Sequence, residues 1–152
     1  MPQSLILFLP FLLAVVAAGS TGTIFKPGPW YAALTKPGFT PPDWLFPVAW
    51  TAIYAFIAVA GARVAALPGA GAALALWSAQ IALNTLWTPV FFGAHRIGLA
   101  LIVLSALWLA VVAATALHWR LDRASGLLFL PYALWVSYAW ALNLAIWRMN
   151  PA

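Results

Sequence analysis

Charged residues divide the chain into five long uncharged stretches. The stretches without Lys, Arg, Asp or Glu cover residues 5–24, 44–62, 72–92, 97–117 and 124–147. Each is about 19–24 residues long and, as a helix rising about 1.5 Å per residue, is long enough to cross a hydrocarbon core of roughly 30 Å. The pattern predicts an all-α integral membrane bundle of five transmembrane helices. It forms a single domain over residues 1–152, with the two termini on opposite sides of the membrane.

The composition supports a lipid environment for most of the chain. Hydrophobic residues make up 66% of the sequence and charged residues 6%, and the mean hydropathy is +0.99. Soluble domains are about half apolar and about a quarter charged. The net charge of +5 comes from scattered basic residues, which favours anchoring at the membrane surface over nucleic-acid binding. Because these residues divide almost evenly between the two sides of the predicted bundle, they determine neither its orientation nor its membrane.

The first stretch has an alternative interpretation as a signal peptide that ends near the small residues Ala17–Ser20. Residues 1–4 contain no Lys or Arg, however, and the apolar run continues past those small residues. Both features favour a transmembrane helix over a cleaved leader.

The first connection between predicted helices, residues 25–43, is much longer than the others. It contains five prolines, Lys26, Lys36 and the aromatic residues Trp30, Tyr31 and Phe39. Long loops in compact domains are usually functional or disordered. Fixed proline φ angles and large apolar rings favour a loop that packs against the bundle. We therefore expect residues 25–43, called the lid segment below, to form an ordered loop over one end of the bundle.

Three predicted helices carry aromatic and polar residues in the half of the bundle next to the lid segment. Helical spacing places those of each helix on one face: Trp50 and Tyr54, then Asn84, Trp87 and Phe91, then Trp135 and Ala139. Large flat rings pack poorly into tight membrane bundles, whose interfaces favour small residues. The pattern predicts a pocket for a flat, apolar, π-rich ligand. The alternative is that these rings are ordinary core and interfacial residues.

Asn84 and Asn143 require hydrogen-bond partners, because an unpaired amide is costly in lipid. We expect a bond between the two, or from one of them to a carbonyl of the lid segment. This interpretation favours structural support over direct contact with a ligand.

The third predicted helix also carries a stripe of small residues, Ala72, Ala75, Ala79 and Ala82. Small residues let helix backbones approach closely, so the stripe predicts a seam between two copies of the chain. An internal packing face is the alternative.

Conventional catalytic chemistry finds no support in the sequence. The five stretches contain no acid that could relay protons, and the chain has no cysteine. His95 and His118 flank one predicted helix, about 35 Å apart, which is too far to share a metal ion. We therefore expect no metal site.

A series of motifs runs through nearly the whole chain. They are Lys26-Pro27-x-x-Trp30-Tyr31-x-x-Leu34-x-Lys36-Pro37, Pro41-Pro42-x-Trp44, Trp50-x-x-x-Tyr54, Asn84-x-x-Trp87-x-x-x-Phe91-Phe92, Pro131-Tyr132-x-x-Trp135 and Leu142-Asn143. This series closely resembles the translocator protein family, whose bacterial members are called tryptophan-rich sensory proteins (TspO).

The resemblance implies a protein that binds protoporphyrin IX or a related tetrapyrrole, and drug-like small molecules, without an obligatory cofactor. It also implies a homodimer, with the third helix at the interface in some members. Ligands of the family lie beneath the lid segment. The corresponding lining residues here are Tyr31, Trp50, Asn84, Trp87, Trp135 and Ala139, with Trp30 and Asn143 as support for the lid and the pocket.

The leading functional expectation is a membrane sensor or regulator that binds tetrapyrrole, with movement of the ligand across or out of the bilayer as a further role. One alternative is a light- and oxygen-dependent porphyrin-degrading enzyme with Trp50 and Trp135 as candidate catalytic residues. Another is a transporter of sterols or small ligands. The last is weakened because Tyr138 has no basic residue closer on its C-terminal side than Arg148, which is too distant for a steroid-recognition motif.

Overall fold

A computed structural model describes residues 3–151, and their side chains from residue 6 onward. Within this range the chain is helical and contains no strand. Six α-helices are present: α1 (Gln3–Ile24), α2 (Pro29–Ala33), α3 (Leu45–Ala65), α4 (Gly71–Thr88), α5 (Ile97–Leu121) and α6 (Arg123–Met149). A single π-helical turn, Pro89–Gly93, continues α4. The prediction of an all-helical fold is confirmed.

Within residues 3–151, four helices are long and apolar enough to cross a membrane: α1 from Ile6, α3, α5 and α6. The fifth predicted span, residues 72–92, corresponds to α4 and the π-helical turn. α4 is 18 residues long and carries Gln80 and Asn84 within it, and it does not belong to that group of four. Four spanning helices are therefore supported by length and composition, and a fifth crossing remains a prediction.

The structure corrects two of the predicted connections. The lid segment was expected to be a loop, but it contains α2, which begins at Pro29. Proline suits the first turn of a helix because its φ angle is already helical and its missing N–H would have no partner there. The predicted turn at 118–123 is much shorter, since only Asp122 separates α5 from α6.

The core lies where α3, α4, α5 and α6 meet, with α1 packed along the outer side of α3 and α4. Its fully buried side chains include Ile57 of α3, Leu107 and Val111 of α5, and Phe129 of α6. Gly61 is required for this packing, because a Cβ atom at that position would overlap the ring of Phe11. Small residues thus bring α1 close to α3, as is usual between helices in membranes.

The end of the bundle away from the lid segment is held by Asp122. Its carboxylate accepts hydrogen bonds from Arg63 at 2.6 and 3.1 Å and from the backbone N–H of Ser125 at 3.1 Å. Asp122 therefore caps the N-terminus of α6 and connects it to α3. The hydrogen bonds from Arg63 hold the pKa of the Asp122 carboxyl below its usual range.

Two substitutions separate these roles. We expect Asp122→Ala to lower the free energy of unfolding by about 1 kcal/mol, the usual cost of losing an N-cap. Asp122→Asn should lower it by less, because asparagine also caps helices and a partly exposed ion pair contributes little. Thermal unfolding of the protein in detergent measures both effects.

The deficit of Asp122→Asn should depend on pH. Because the folded-state pKa is lowered, the charge stabilises the protein above the unfolded value of about 3.9 and stops doing so as the pH falls through the folded value. The deficit should therefore be present at pH 7 and shrink below pH 4. Asp43→Asn, which removes the only other acidic side chain, is the matched control. An equal deficit at pH 7 and pH 3 would contradict this assignment.

Candidate functional site

The deepest part of the candidate site is a hydrogen-bonded group that joins three helices. The Tyr54 hydroxyl of α3 donates to Asn84 Oδ1 of α4 at 2.7 Å, and Asn84 Nδ2 donates to the Tyr132 hydroxyl of α6 at 3.0 Å. Asn84 is 6% exposed and Tyr132 is fully buried. Each polar atom of Asn84 thus has a partner on a different neighbouring helix, as an amide inside a membrane bundle requires.

Asn143 supports a second junction, closer to the lid segment. Its Oδ1 accepts from Trp87 Nε1 at 3.1 Å, and its Nδ2 donates to the carbonyl of Ile97 at 3.1 Å. The expected bond between Asn84 and Asn143, or from either to a carbonyl of the lid segment, is therefore wrong. Each amide bonds instead to its own pair of partners, Asn84 to two tyrosine hydroxyls and Asn143 to Trp87 and the carbonyl of Ile97.

Trp50 lies at the centre of the first of two aromatic clusters. Its ring centroid is 5.4 Å from Tyr54, 6.0 Å from Tyr132 and 6.5 Å from Trp135, and the two indoles are nearly perpendicular. Ala139 packs against the same cluster. Trp50, Trp135 and Ala139 are all half-buried, so part of each remains accessible from outside the core.

The second aromatic cluster lies beneath α2. Trp87 stacks on Phe91 at 5.0 Å, and the lid residues Trp30 and Tyr31 meet Phe91 edge-on at 5.7 and 6.1 Å. Phe92 also contacts Tyr31, at 5.3 Å, because the π-helical turn directs two consecutive phenylalanines towards the lid segment. Trp87 packs against both clusters and so connects them.

The sequence-predicted site residues therefore fall into two adjoining groups. Trp50, Tyr54, Trp135 and Ala139 belong to the first cluster, whereas Tyr31, Trp30 and Phe91 belong to the second. Tyr31 contacts the phenylalanines of the π-helical turn, and its observed ring contacts do not include Trp50 or Trp135. A ligand that touches all of these residues has to lie along the boundary between the clusters.

The lid segment is attached to α6 by contacts that sequence reasoning missed. Thr35 and Asn150 exchange two hydrogen bonds of 2.9 Å, and the Tyr138 hydroxyl donates to the carbonyl of Phe39. These pairs are 115 and 99 residues apart in the chain, and no local pattern marks them. Burial is the largest of the effects that raise the pKa of the Tyr31 phenol in α2.

His95 also contacts the lid segment. Its ring stacks on Trp30 with the centroids 4.1 Å apart and the planes inclined by 13°. The φ angle of His95 is +55°, in the left-handed region that residues other than glycine seldom adopt.

His118, the other histidine, is buried near the end of α5, where its Nδ1 lies 2.8 Å from the carbonyl of Ala114. Among the described residues, no three potential metal ligands cluster.

All four members of the alanine stripe, Ala72, Ala75, Ala79 and Ala82, are exposed. The internal packing face of α4 is instead formed by Ala73, Trp77, Gln80 and Asn84, which are buried. The stripe is therefore an outer surface of the bundle, and the alternative of an internal packing face is wrong.

Two shallow grooves lie on the outer surface, away from these clusters. One, between α3 and α6, is lined by Phe56, Arg63, Leu127 and Pro131 among others, and the second, between α5 and α6, by Val112, Trp119 and Leu130 among others. Each has a volume of about 470 Å³. Neither groove includes a sequence-predicted site residue, so both are surfaces distinct from the candidate site.

The sequence matches the TspO/MBR family over residues 9–148. The chain belongs to the TspO/MBR family. It is 50% identical over 153 residues to Protein CrtK of Rhodobacter capsulatus, covering 98% of this chain and 96% of that protein. It is 48% identical over 144 residues to the tryptophan-rich sensory protein of Cereibacter sphaeroides, covering 95% and 91%. The human translocator protein is 33% identical over 126 residues, covering 80% and 75%.

Membership of the TspO/MBR family confirms the resemblance found from the motifs. Together with the four long apolar helices, it makes this chain a multi-pass integral membrane protein. The family match also spans the lid segment, both aromatic clusters and both asparagine junctions.

The Asn84 junction leads to a prediction about stability. Asn84→Ala removes the partner of two tyrosine hydroxyls, one of them fully buried, so we expect it to lower the free energy of unfolding by about 1–3 kcal/mol. Thr85→Ala is the control, because the neighbouring hydroxyl bonds only to the carbonyl of Ile81 in its own helix. Thermal unfolding in detergent compares the two variants. Equal effects would show that the junction does not hold the three helices together.

Proposed function

We propose that this member of the TspO/MBR family is a membrane sensor or regulator that binds a tetrapyrrole such as protoporphyrin IX. The observation that carries the proposal is the pair of adjoining aromatic clusters where α3, α4 and α6 meet beneath α2. The names of its relatives, a tryptophan-rich sensory protein and a translocator protein, support a sensory or binding role in a membrane.

The geometry of the aromatic clusters suits a flat ligand. Aromatic pairs prefer offset or edge-on contacts at centroid distances of about 4.5–7 Å. A flat macrocycle makes the same kinds of contact with the half-buried indoles of Trp50 and Trp135. Its large apolar surface leaves lipid at little cost, and the stacking contacts supply selectivity.

Basic side chains at the lid end of the bundle are suitable partners for the carboxylates of a tetrapyrrole. Lys36 lies in the lid segment with its ammonium 4.6 Å from the centroid of the Tyr31 ring. Arg148, in the last turn of α6, is exposed at the same end of the bundle. Carboxylates of the ligand that reach the mouth of the site would form charge-assisted hydrogen bonds with these side chains. The macrocycle then lies in the membrane with its propionates at the surface.

We also propose that α4 with its π-helical turn forms a fifth membrane crossing and that two copies associate through the stripe Ala72, Ala75, Ala79 and Ala82. Both amides of α4, Gln80 and Asn84, face inward, so its outward surface is compatible with lipid or with another helix. The four alanines are exposed on that outward surface. Small side chains permit close approach of a second α4 there.

Light-dependent degradation of porphyrin is the second candidate activity. The observation that favours it is the contact between Trp50 and Trp135, two half-buried indoles next to one another in the first cluster. A porphyrin lying against them under illumination would place an excited macrocycle beside two oxidisable rings. The photochemistry would then belong to the porphyrin, with the protein supplying position.

Porphyrin titration monitored by tryptophan fluorescence tests the site. We expect saturable quenching, and a dissociation constant about 5- to 30-fold weaker in Trp50→Leu, because one indole contact of about 1–2 kcal/mol is lost. Trp119→Leu, at the far end of α5 and outside both clusters, is the control. Non-saturable quenching, or equal weakening in both variants, would count against binding at the clusters.

Illumination with and without oxygen distinguishes the two candidate functions. If the protein only binds or senses porphyrin, we expect the Soret band of the porphyrin to bleach no faster than that of free porphyrin under the same light. Protein-dependent, oxygen-dependent bleaching to a discrete product, lost in Trp50→Phe and Trp135→Phe with binding retained, would make degradation the primary activity.

A further inference from the structure

Gln80 is a polar residue of α4 that the candidate site does not use. Its side chain is fully buried, and among the described residues neither its carbonyl oxygen nor its amide nitrogen has a hydrogen-bond partner. It lies on the inward face of α4, one turn before Asn84 and one turn after Trp77. The carboxamide is therefore enclosed among the helices and does not reach lipid or bulk water.

A buried amide without hydrogen bonds destabilises the folded protein unless another molecule forms those bonds. An amide that is buried without partners loses its hydrogen bonds to water and gains none in return, and the loss is greatest in an apolar interior. The burial of the Gln80 carboxamide on the inward face therefore indicates a polar companion.

The neighbouring hydrogen-bonded group supplies the other side of the site. Residues four apart on a helix have their Cβ atoms about 5–6 Å from one another, a spacing that one water molecule bridges. Asn84 Oδ1 accepts one bond from Tyr54 and retains a second lone pair, and the Tyr132 hydroxyl accepts from Asn84 while its own proton remains to be donated. A donor and an acceptor are thus available one turn away from a carboxamide that needs both.

We propose that Gln80 and the Tyr54–Asn84–Tyr132 group enclose an internal site that binds one water molecule. Buried waters in proteins usually make about three hydrogen bonds to groups that otherwise lack partners, which matches this set of groups. The water extends the polar junction of α3, α4 and α6 by one helical turn, away from the lid segment.

The site goes beyond tetrapyrrole binding, because it is occupied without a ligand. It also gives the floor of the first aromatic cluster a molecule that both donates and accepts hydrogen bonds. Trp77 does not compete for it, since its indole N–H already donates to the carbonyl of Ile57 at 2.8 Å.

The test uses the small number of glutamines in the chain, which are Gln3 and Gln80. Protein labelled with ¹⁵N in glutamine side chains and carrying Gln3→Ala shows one pair of side-chain amide signals, that of the Gln80 NH2 group. Cross-relaxation between these amide protons and water is measured in the rotating frame, without ligand. We expect a water cross-peak with the sign of cross-relaxation, opposite to that of chemical exchange. The amide signals and their cross-peak should both be lost in Gln80→Met.

Absence of the cross-peak, or a peak with the sign of chemical exchange alone, would overturn the proposal. Diffraction data to about 1.8 Å provide the second measurement, because they exclude relay through a tyrosine hydroxyl. A density peak within hydrogen-bond distance of both Gln80 and Asn84 or Tyr132 supports the water site. Direct bonding of the Gln80 carboxamide to protein atoms contradicts it. Neither measurement involves a porphyrin, so failure here is distinguishable from failure of tetrapyrrole binding.

Discussion

A polar group inside a membrane bundle needs hydrogen-bond partners that lipid does not provide, and here that constraint falls most heavily on Asn84. Its two bonds, to Tyr54 and to Tyr132, connect α3, α4 and α6 at one depth. These helices also carry Trp50, Trp87 and Trp135. The positions of the three indoles therefore depend on an amide whose alternative is an unpaired donor and acceptor in an apolar interior. The polar junction both stabilises the bundle and determines where its aromatic rings lie.

The lid segment depends on a different set of contacts. α2 rests its aromatic side chains on the π-helical turn, and Asn150 holds Thr35 by two hydrogen bonds. Trp87, bonded to Asn143, belongs to both aromatic clusters and connects the lid to the deeper junction. A ligand that enters between the clusters must therefore displace ring contacts, whereas the asparagine bonds keep the helices in place. This division suits a site that accommodates a large flat molecule without unfolding the bundle.

Much of this organisation could be predicted from the sequence, because lipid imposes strong patterns. Uncharged stretches and the spacing of Trp50, Tyr54, Asn84 and Trp87 were sufficient to predict the helices and the faces they turn inward. The bonding of the asparagines was not predictable, since any of several polar groups at similar depth could have served. Nor were α2 and the contact of Asn150 with Thr35, which depend on tertiary packing between distant segments. The inward position of Gln80 could have been predicted from the same spacing, because it lies one helical turn before Asn84.

We propose that a tetrapyrrole lies between the two aromatic clusters, and the structure of the complex with protoporphyrin IX tests this proposal directly. The proposal predicts density for the macrocycle beneath α2, in contact with Trp50, Trp87 and Trp135, with its propionates directed towards Lys36 or Arg148. Density for the macrocycle in the groove beside Phe56 and Pro131, or in the one beside Val112 and Leu130, with the clusters unchanged, would contradict it.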